Sequence, residues 1–164
     1  MNIRKKWFFF ISLIVLIDQT SKILVSFFIG PNHSTNIISS FLRFTYITND
    51  GIAFGLNPFG NTILLFFLSM LACLFIIKIL FDSQNDSYFI QFSLCLIIGG
   101  AVGNLIDRFF TSFEIMNYSG VIDFIDIGFS NYRFYVFNFA DSFITIGIIL
   151  YIASFLFDKK SNAK

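Results

Sequence analysis

The side chains able to do chemistry in this sequence are almost all carboxylates. Its 10 acids are Asp18, Asp50, Asp82, Asp86, Asp107, Glu114, Asp123, Asp126, Asp141 and Asp158. Two carboxylates held close together resist double ionisation, so one keeps its proton. The ionised one can then act as base on a water while the protonated one polarises a carbonyl. That is aspartic-protease chemistry, and it requires no metal. Asp141 lies inside a long apolar run, where an unpaired charge is costly and by default marks function. Asp107 ends another such run beside Arg108, with Asn104 on its face at i, i+3. Asp123 lies between them in sequence and can fold back to the same level. Spacing leaves open which of Asp107, Asp123 and Asp141 form a reacting pair. Asp18 and Lys22 are spaced i, i+4 with the acid first, the favourable order for a helical ion pair, and read as a salt bridge that positions a helix. The one histidine is His33, and Cys73 and Cys95 sit in separate apolar runs. No zinc site of the usual ligand types is expected, and both cysteines read as packing or lipid-facing residues.

The elements that must position these groups are membrane elements. The 164 residues are 56% hydrophobic, 20% aromatic with 26 Phe, and 13% charged, and mean hydropathy is +0.78. Soluble domains carry about 25% charged residues. An ordinary soluble domain and a disordered linker are excluded on this ground. A formal net charge of +1 without a basic stripe argues against nucleic acid as a partner. Four stretches are long enough to cross a bilayer: about 7–29, 61–81, 88–106 and 134–157. The expected fold is an all-α, four-transmembrane-helix bundle forming one integral membrane domain over 1–164, with a small extracytoplasmic β-rich element and an interfacial segment. A cleaved leader is not expected, since no small-residue A-x-A site follows the first run. Arg4, Lys5 and Lys6 precede the first span, and Lys159, Lys160 and Lys164 follow the fourth, so both termini are expected in the cytoplasm. Segments of about 30–60 and 109–133 then face outward. Ile37–Thr48 reads as one or two strands or an interfacial element. Val121–Phe129 reads equally as a strand or an interfacial helix.

In this topology Asp107 and Asp141 approach one depth, near the outer interface. Asp141 is about seven residues into its span, roughly 10 Å below the outer end. A proton-coupled carrier is the competing reading, but it calls for acids across the whole membrane thickness. Here the cytoplasmic halves of spans two to four lack any. Gly99 and Gly103, with Gly100 and Ala101, form a small-residue face suited to close helix packing.

Five ordered motifs make a wider resemblance visible. They are Asp18-Gln19-Thr20-Ser21-Lys22, Asn49-Asp50-Gly51-Ile52-Ala53-Phe54-Gly55, the run Gly99 to Arg108, Gly120-Val121-Ile122-Asp123-Phe124, and Phe137-Asn138-Phe139-Ala140-Asp141. They match DQxxK, NxGxAFG, GGAxGNxxDR, VxDF and FNxAD, and the chain resembles the lipoprotein signal peptidases, also called signal peptidase II. The resemblance covers nearly the whole chain. It implies that Asp123 and Asp141 are the catalytic pair, attacking through an activated water without an acyl-enzyme. It implies that Asp18, Lys22, Asn49, Gly51, Phe54, Asn104, Asp107, Arg108, Asn138 and Ala140 support the site or contact substrate. It further implies no cofactor and no metal, a monomer in lipid in the bacterial cytoplasmic membrane, and an active site near the extracytoplasmic face. The implied substrates are prolipoproteins whose lipobox cysteine carries diacylglycerol, cut just before that cysteine. The segment with Ala53 and Phe54 is expected to lie along the interface, covering substrate or serving as a simple amphipathic anchor.

Overall fold

The computed structural model describes residues 3–51, 61–83, 86–129 and 132–161. Four helices and four strands follow in the order α1 (Ile3–Phe28), β1 (Ser34–Ile38), β2 (Leu42–Asn49), α2 (Thr62–Asp82), α3 (Tyr88–Ser112), β3 (Val121–Phe129), β4 (Tyr132–Arg133) and α4 (Phe139–Ser161). A short 3-10 turn, Ile115–Asn117, precedes β3. Phe54 and Ala53, expected to cover the substrate, lie outside the described residues.

Of the four expected spans, α1, α2 and α3 are long and apolar enough to cross a membrane. In α4 the apolar stretch among the described residues is shorter, Phe139–Ser154. The helices do not share burial equally. The apolar window of α3 is 67% buried, against 22% in α1 and 17% in α2. So α3 is the central post, and each of the other helices packs on it. Its small residues make this possible. A side chain at Gly99 would meet Ile14 Cγ2 of α1 at 2.6 Å, and one at Gly103 would meet Asp18 Oδ2 at 2.6 Å. One at Gly100 would run into the backbone oxygen of Ala140 in α4. The small face thus serves two neighbours: Gly99 and Gly103 admit α1, and Gly100 admits the first turn of α4.

The β element is a four-stranded antiparallel sheet in the order β1-β2-β3-β4, so the chain is not strictly all-α. Val121–Phe129 is its third strand, with Asn49 opposite Val121 and Leu42 opposite Ile127. A strand so nearly buried along its length reads as a continuous apolar run, which is why alternation did not reveal it. Arg133 of β4 clasps the sheet. Its Nε donates to Asp126 Oδ1 at 2.6 Å and its NH1 to the Ser40 carbonyl at 2.9 Å.

Two boundaries differ from expectation. α4 begins at Phe139, not near Phe134, because Phe137 is engaged by β3: its carbonyl accepts from the Ile125 N–H at 2.7 Å and its N–H donates to the Ile125 carbonyl at 3.1 Å. Asp141 is therefore in the first turn of α4, about 3 Å along it rather than 10 Å. α3 runs on to Ser112, where Phe109 and Phe113 pack with Phe66 of α2. Asp107 is consequently an interior helical residue, not a terminal one.

The glycine packing is open to a direct test. Gly100→Ala should cost about 1–3 kcal/mol, the usual range for overpacking, because backbone blocks the new methyl. Gly99→Ala should cost less, since its nearest neighbours are atoms of the Ile14 side chain rather than backbone. Thermal unfolding of the two variants in detergent gives the order.

Candidate active site

The site is built around one buried cation. Lys22, on α1, is 1% exposed. Its ammonium has three hydrogens and meets three acceptors: Asp18 Oδ2 at 2.8 Å, Asp107 Oδ2 at 2.7 Å and Asn104 Oδ1 at 3.0 Å. The expected i, i+4 pair with Asp18 is present, and α3 supplies the other two oxygens. Asp107 therefore has its cation on α1 rather than in its neighbour Arg108. Gln19 completes this lower layer. Its Nε2 lies 3.1 Å from Asp18 Oδ2, 3.0 Å from the Gly103 carbonyl and 3.2 Å from Asp107 Oδ1.

This layer dictates the orientation of the next. Lys22 only donates, so the oxygen of Asn104 must face it and the Asn104 amide nitrogen must face away. That nitrogen donates to Asp141 Oδ1 at 2.8 Å. Asn138 is oriented in turn. Its Nδ2 donates to Asp123 Oδ1 at 2.7 Å and lies 3.1 Å from Asn104 Oδ1. Its Oδ1 then accepts the Asp141 backbone N–H at 2.9 Å.

Asn138 and Asp141 together form the N-terminus of α4. The Asp141 carboxylate returns the contact, its Oδ2 accepting the Asn138 N–H at 3.2 Å. This reciprocal pair is a capping box, with an aspartate where a glutamate is usual. A carboxylate here also lies at the positive end of the helix dipole. Asp18 satisfies a further free donor of the same turn, its Oδ1 accepting the Ala140 N–H at 2.9 Å. Ala140 itself is fully buried.

Asp123 enters from β3. It is 4% exposed, with Asn49 of β2 donating to its Oδ2 at 3.4 Å. Asn49 Oδ1 accepts the Gly51 N–H at 2.9 Å, and the Gly51 carbonyl accepts from Arg108 at 3.3 Å. Burial pushes the Asp123 carboxyl up to about 7, and the nearby Asp141 pushes in the same direction. Hydrogen bonds from Asn49 and Asn138 and the charge of Lys22 oppose the rise without cancelling it.

Asp123 and Asp141 both line a cavity of about 480 Å³, together with Asn49, Asn104 and Arg108. The cavity continues down between Cys73 and Ile76 of α2 and Ile144 and Thr145 of α4. Asp107, which spacing left as an equal candidate, does not line it. Its oxygens are taken by Lys22, by Gln19 and by the Ile122 N–H at 3.4 Å. The cavity thus brings Asp123 and Asp141 to one open space and leaves Asp107 in the supporting layer. Gln19 was passed over as a site residue, although it stands in the first motif. An amide one residue from a buried acid was the available signal.

A family model described as signal peptidase (SPase) II matches residues 10–157. The lipoprotein signal peptidase of Coxiella burnetii (strain RSA 331 / Henzerling II) is 36% identical over 159 residues, covering 95% of this chain and 93% of that protein. That of Thermodesulfovibrio yellowstonii is 38% identical over 143 residues, covering 87% and 88%. A solved bacterial membrane enzyme, determined by the in meso method at 2.3 Å, superposes with a TM-score of 0.84 at 31% identity, covering 99% of this chain and 93% of that one.

The two layers carry opposite expectations. Lys22→Met leaves two buried carboxylates without their cation and should cost about 3–5 kcal/mol, the scale for breaking a buried pair. Adding Asp107→Asn should recover part of the loss in thermal unfolding. Asp123 behaves the other way. Its folded-state pKa lies above the ordinary 3.8, so between about 4 and 7 the folded protein binds the extra proton. Its contribution to stability is therefore lost as pH rises through that window. Asp123→Asn removes the cost, and its apparent Tm relative to wild type should rise from pH 5 to pH 8.

Proposed function

Because the chain belongs to the signal peptidase II family, an aspartic peptidase family, we propose that it removes signal peptides from diacylglyceryl-modified prolipoproteins. Cleavage falls just before the lipidated cysteine. Asp123 and Asp141 act as the catalytic pair and share one proton. The observation that carries this reading is their position: both carboxylates border one cavity, while the other buried acids are consumed in ion pairs and caps.

In the proposed reaction a water is held between the two carboxylates. Asp141, at the N-terminus of α4, takes its proton as the oxygen attacks the scissile carbonyl. Asp123, whose buried setting favours the protonated form, donates to the carbonyl oxygen. The pair titrates as a unit, so the roles exchange as the amine leaves. Asn104 and Asn138 hold the carboxylates in place. Arg108, on the same wall, binds substrate carbonyl oxygens.

Membrane placement follows the same reading. α4 is the fourth crossing, both termini are cytoplasmic, and the sheet lies at the extracytoplasmic face. The positive residues beside the termini support that orientation. The pair then sits at the mouth of the bundle, where a lipid-anchored cysteine presents its peptide bond while its acyl chains stay in the bilayer. Among the described residues α2 packs closely on α3 alone, so the gap between α2 and α4 is open for a signal-peptide helix to enter from the side. The working unit is a monomer.

A cleavage assay in liposomes tests the assignment, using one prolipoprotein with and without diacylglycerol on its cysteine. Only the lipidated form should be cut. Asp123→Asn and Asp141→Asn should each lower the rate by about a hundredfold or more, as expected for loss of an acid or base. Asp123→Asn should do so without loss of thermal stability. Cleavage by either variant at the wild-type rate removes that residue from the chemistry.

A further inference from the structure

α3 presents a second face to open space. The first, with Asn104 and Arg108, borders the cavity described above. The second, with Ile98 and Val102, borders another cavity of about 1020 Å³. Trp7, Val15 and Gln19 of α1 and Ile77 and Phe81 of α2 are among its other lining residues, most of which are apolar. Its α1 wall runs from Trp7 to Gln19, so it opens at the end of the bundle away from the carboxylate pair and reaches inward as far as the Lys22 layer. The space exists because α1 and α2 each pack on α3 but not closely on one another.

Two lysines lie near the Trp7 end of this apolar cavity without lining it. Lys6 is exposed, and its ammonium lies 5.6 Å from the centre of the Tyr88 ring, which in turn lies 4.6 Å from the Trp7 ring. Lys78 is exposed and is the sequence neighbour of Ile77, a residue of the α2 wall. Among the described residues neither lysine forms an ion pair. Arg4 and Lys5 precede Lys6 in the sequence, and the acids of the α2–α3 turn, Asp82 and Asp86, leave an excess of positive charge at this end.

An apolar slot walled by Trp7, with Tyr88 against that ring and lysines close by, has the chemistry of one kind of occupant. Acyl chains fill the slot, a phosphate meets the ammonium groups, and the aromatic pair sits at headgroup level. We infer that this cavity is a selective site for an anionic diacyl phospholipid of the leaflet opposite the carboxylate pair. A zwitterionic lipid brings the same chains without the net charge, so selectivity rests on Lys6 and Lys78. Each lysine near an anionic headgroup should contribute about fivefold.

Trp7 makes the test direct, because it is the one tryptophan of the chain and forms part of the cavity wall. The full chain is placed in nanodiscs of unlabelled phosphatidylcholine containing a small fraction of acyl-brominated phosphatidylglycerol or acyl-brominated phosphatidylcholine. Bromine quenches tryptophan fluorescence on close approach. The brominated phosphatidylglycerol should reach half-quenching at a mole fraction about fivefold lower or more. In Lys6→Gln/Lys78→Gln the two lipids should give one curve. Val15→Phe, which fills the slot, should weaken quenching by both. Superimposable curves for the wild type would mean ordinary surrounding lipid and overturn the proposal. Absent quenching would mean that protein, such as a second copy of the chain, covers the cavity, and would overturn it too. A preference that survives in the lysine double variant would place the selectivity elsewhere.

Discussion

A buried ammonium with three hydrogens and three acceptors is the constraint on which the rest of this structure depends. Lys22 has no exposure to speak of, so every hydrogen must be met by protein. Its acceptors come from two helices, and meeting all of them sets the register of α1 against α3. Lys22 also sits between Asp18 and Asp107, and its positive charge makes the two acids tolerable neighbours. Because the ammonium cannot accept, it orients Asn104, which orients Asn138, which orients the first turn of α4. A single choice of donor thereby propagates through two amides to both carboxylates of the cavity.

In the proposed reaction, stability and activity draw on shared groups. Asp141 caps a helix and borders the open cavity; Asn138 is both an N-cap and a hydrogen-bond donor to Asp123. A capped helix start is rigid, and rigidity suits a group whose orbital must meet a water. Asp123 is held on different terms. It hangs from a strand, in surroundings that favour its neutral form, and weakens the fold above neutral pH. Local rules of stability are obeyed at one member of the pair and broken at the other, a pattern expected where a site needs an acid and a base side by side.

Much of this was legible in the sequence, and what was not has physical reasons. The apolar runs and the Asp18–Lys22 spacing are local signals, and local signals survive without tertiary information. The glycine face was recognisable as a packing surface, though not as one shared between two neighbours. Which of Asp107 and Asp123 shares an open cavity with Asp141 was beyond spacing, because it depends on which acid a lysine about 85 positions away consumes. Only the family motifs pointed to Asp123. The start of α4 was misplaced for a related reason. Phe134–Asn138 is as apolar as the helix it precedes, and only pairing between Phe137 and β3 keeps it extended. β3 was ambiguous because burial on both faces erases the alternation that identifies a strand.

The Asp18–Lys22 pair has a further consequence, for the birth of the protein. α1 emerges from the ribosome long before α3 and α4, yet it carries two charges that end up among the most deeply buried in the molecule. Their i, i+4 spacing lets each neutralise the other within a single helix, so α1 can enter lipid as an internally compensated unit. The additional oxygens of Asp107 and Asn104 arrive only with α3, and the Ala140 N–H only with α4. The pair is thus a travelling arrangement first and an architectural hub afterwards.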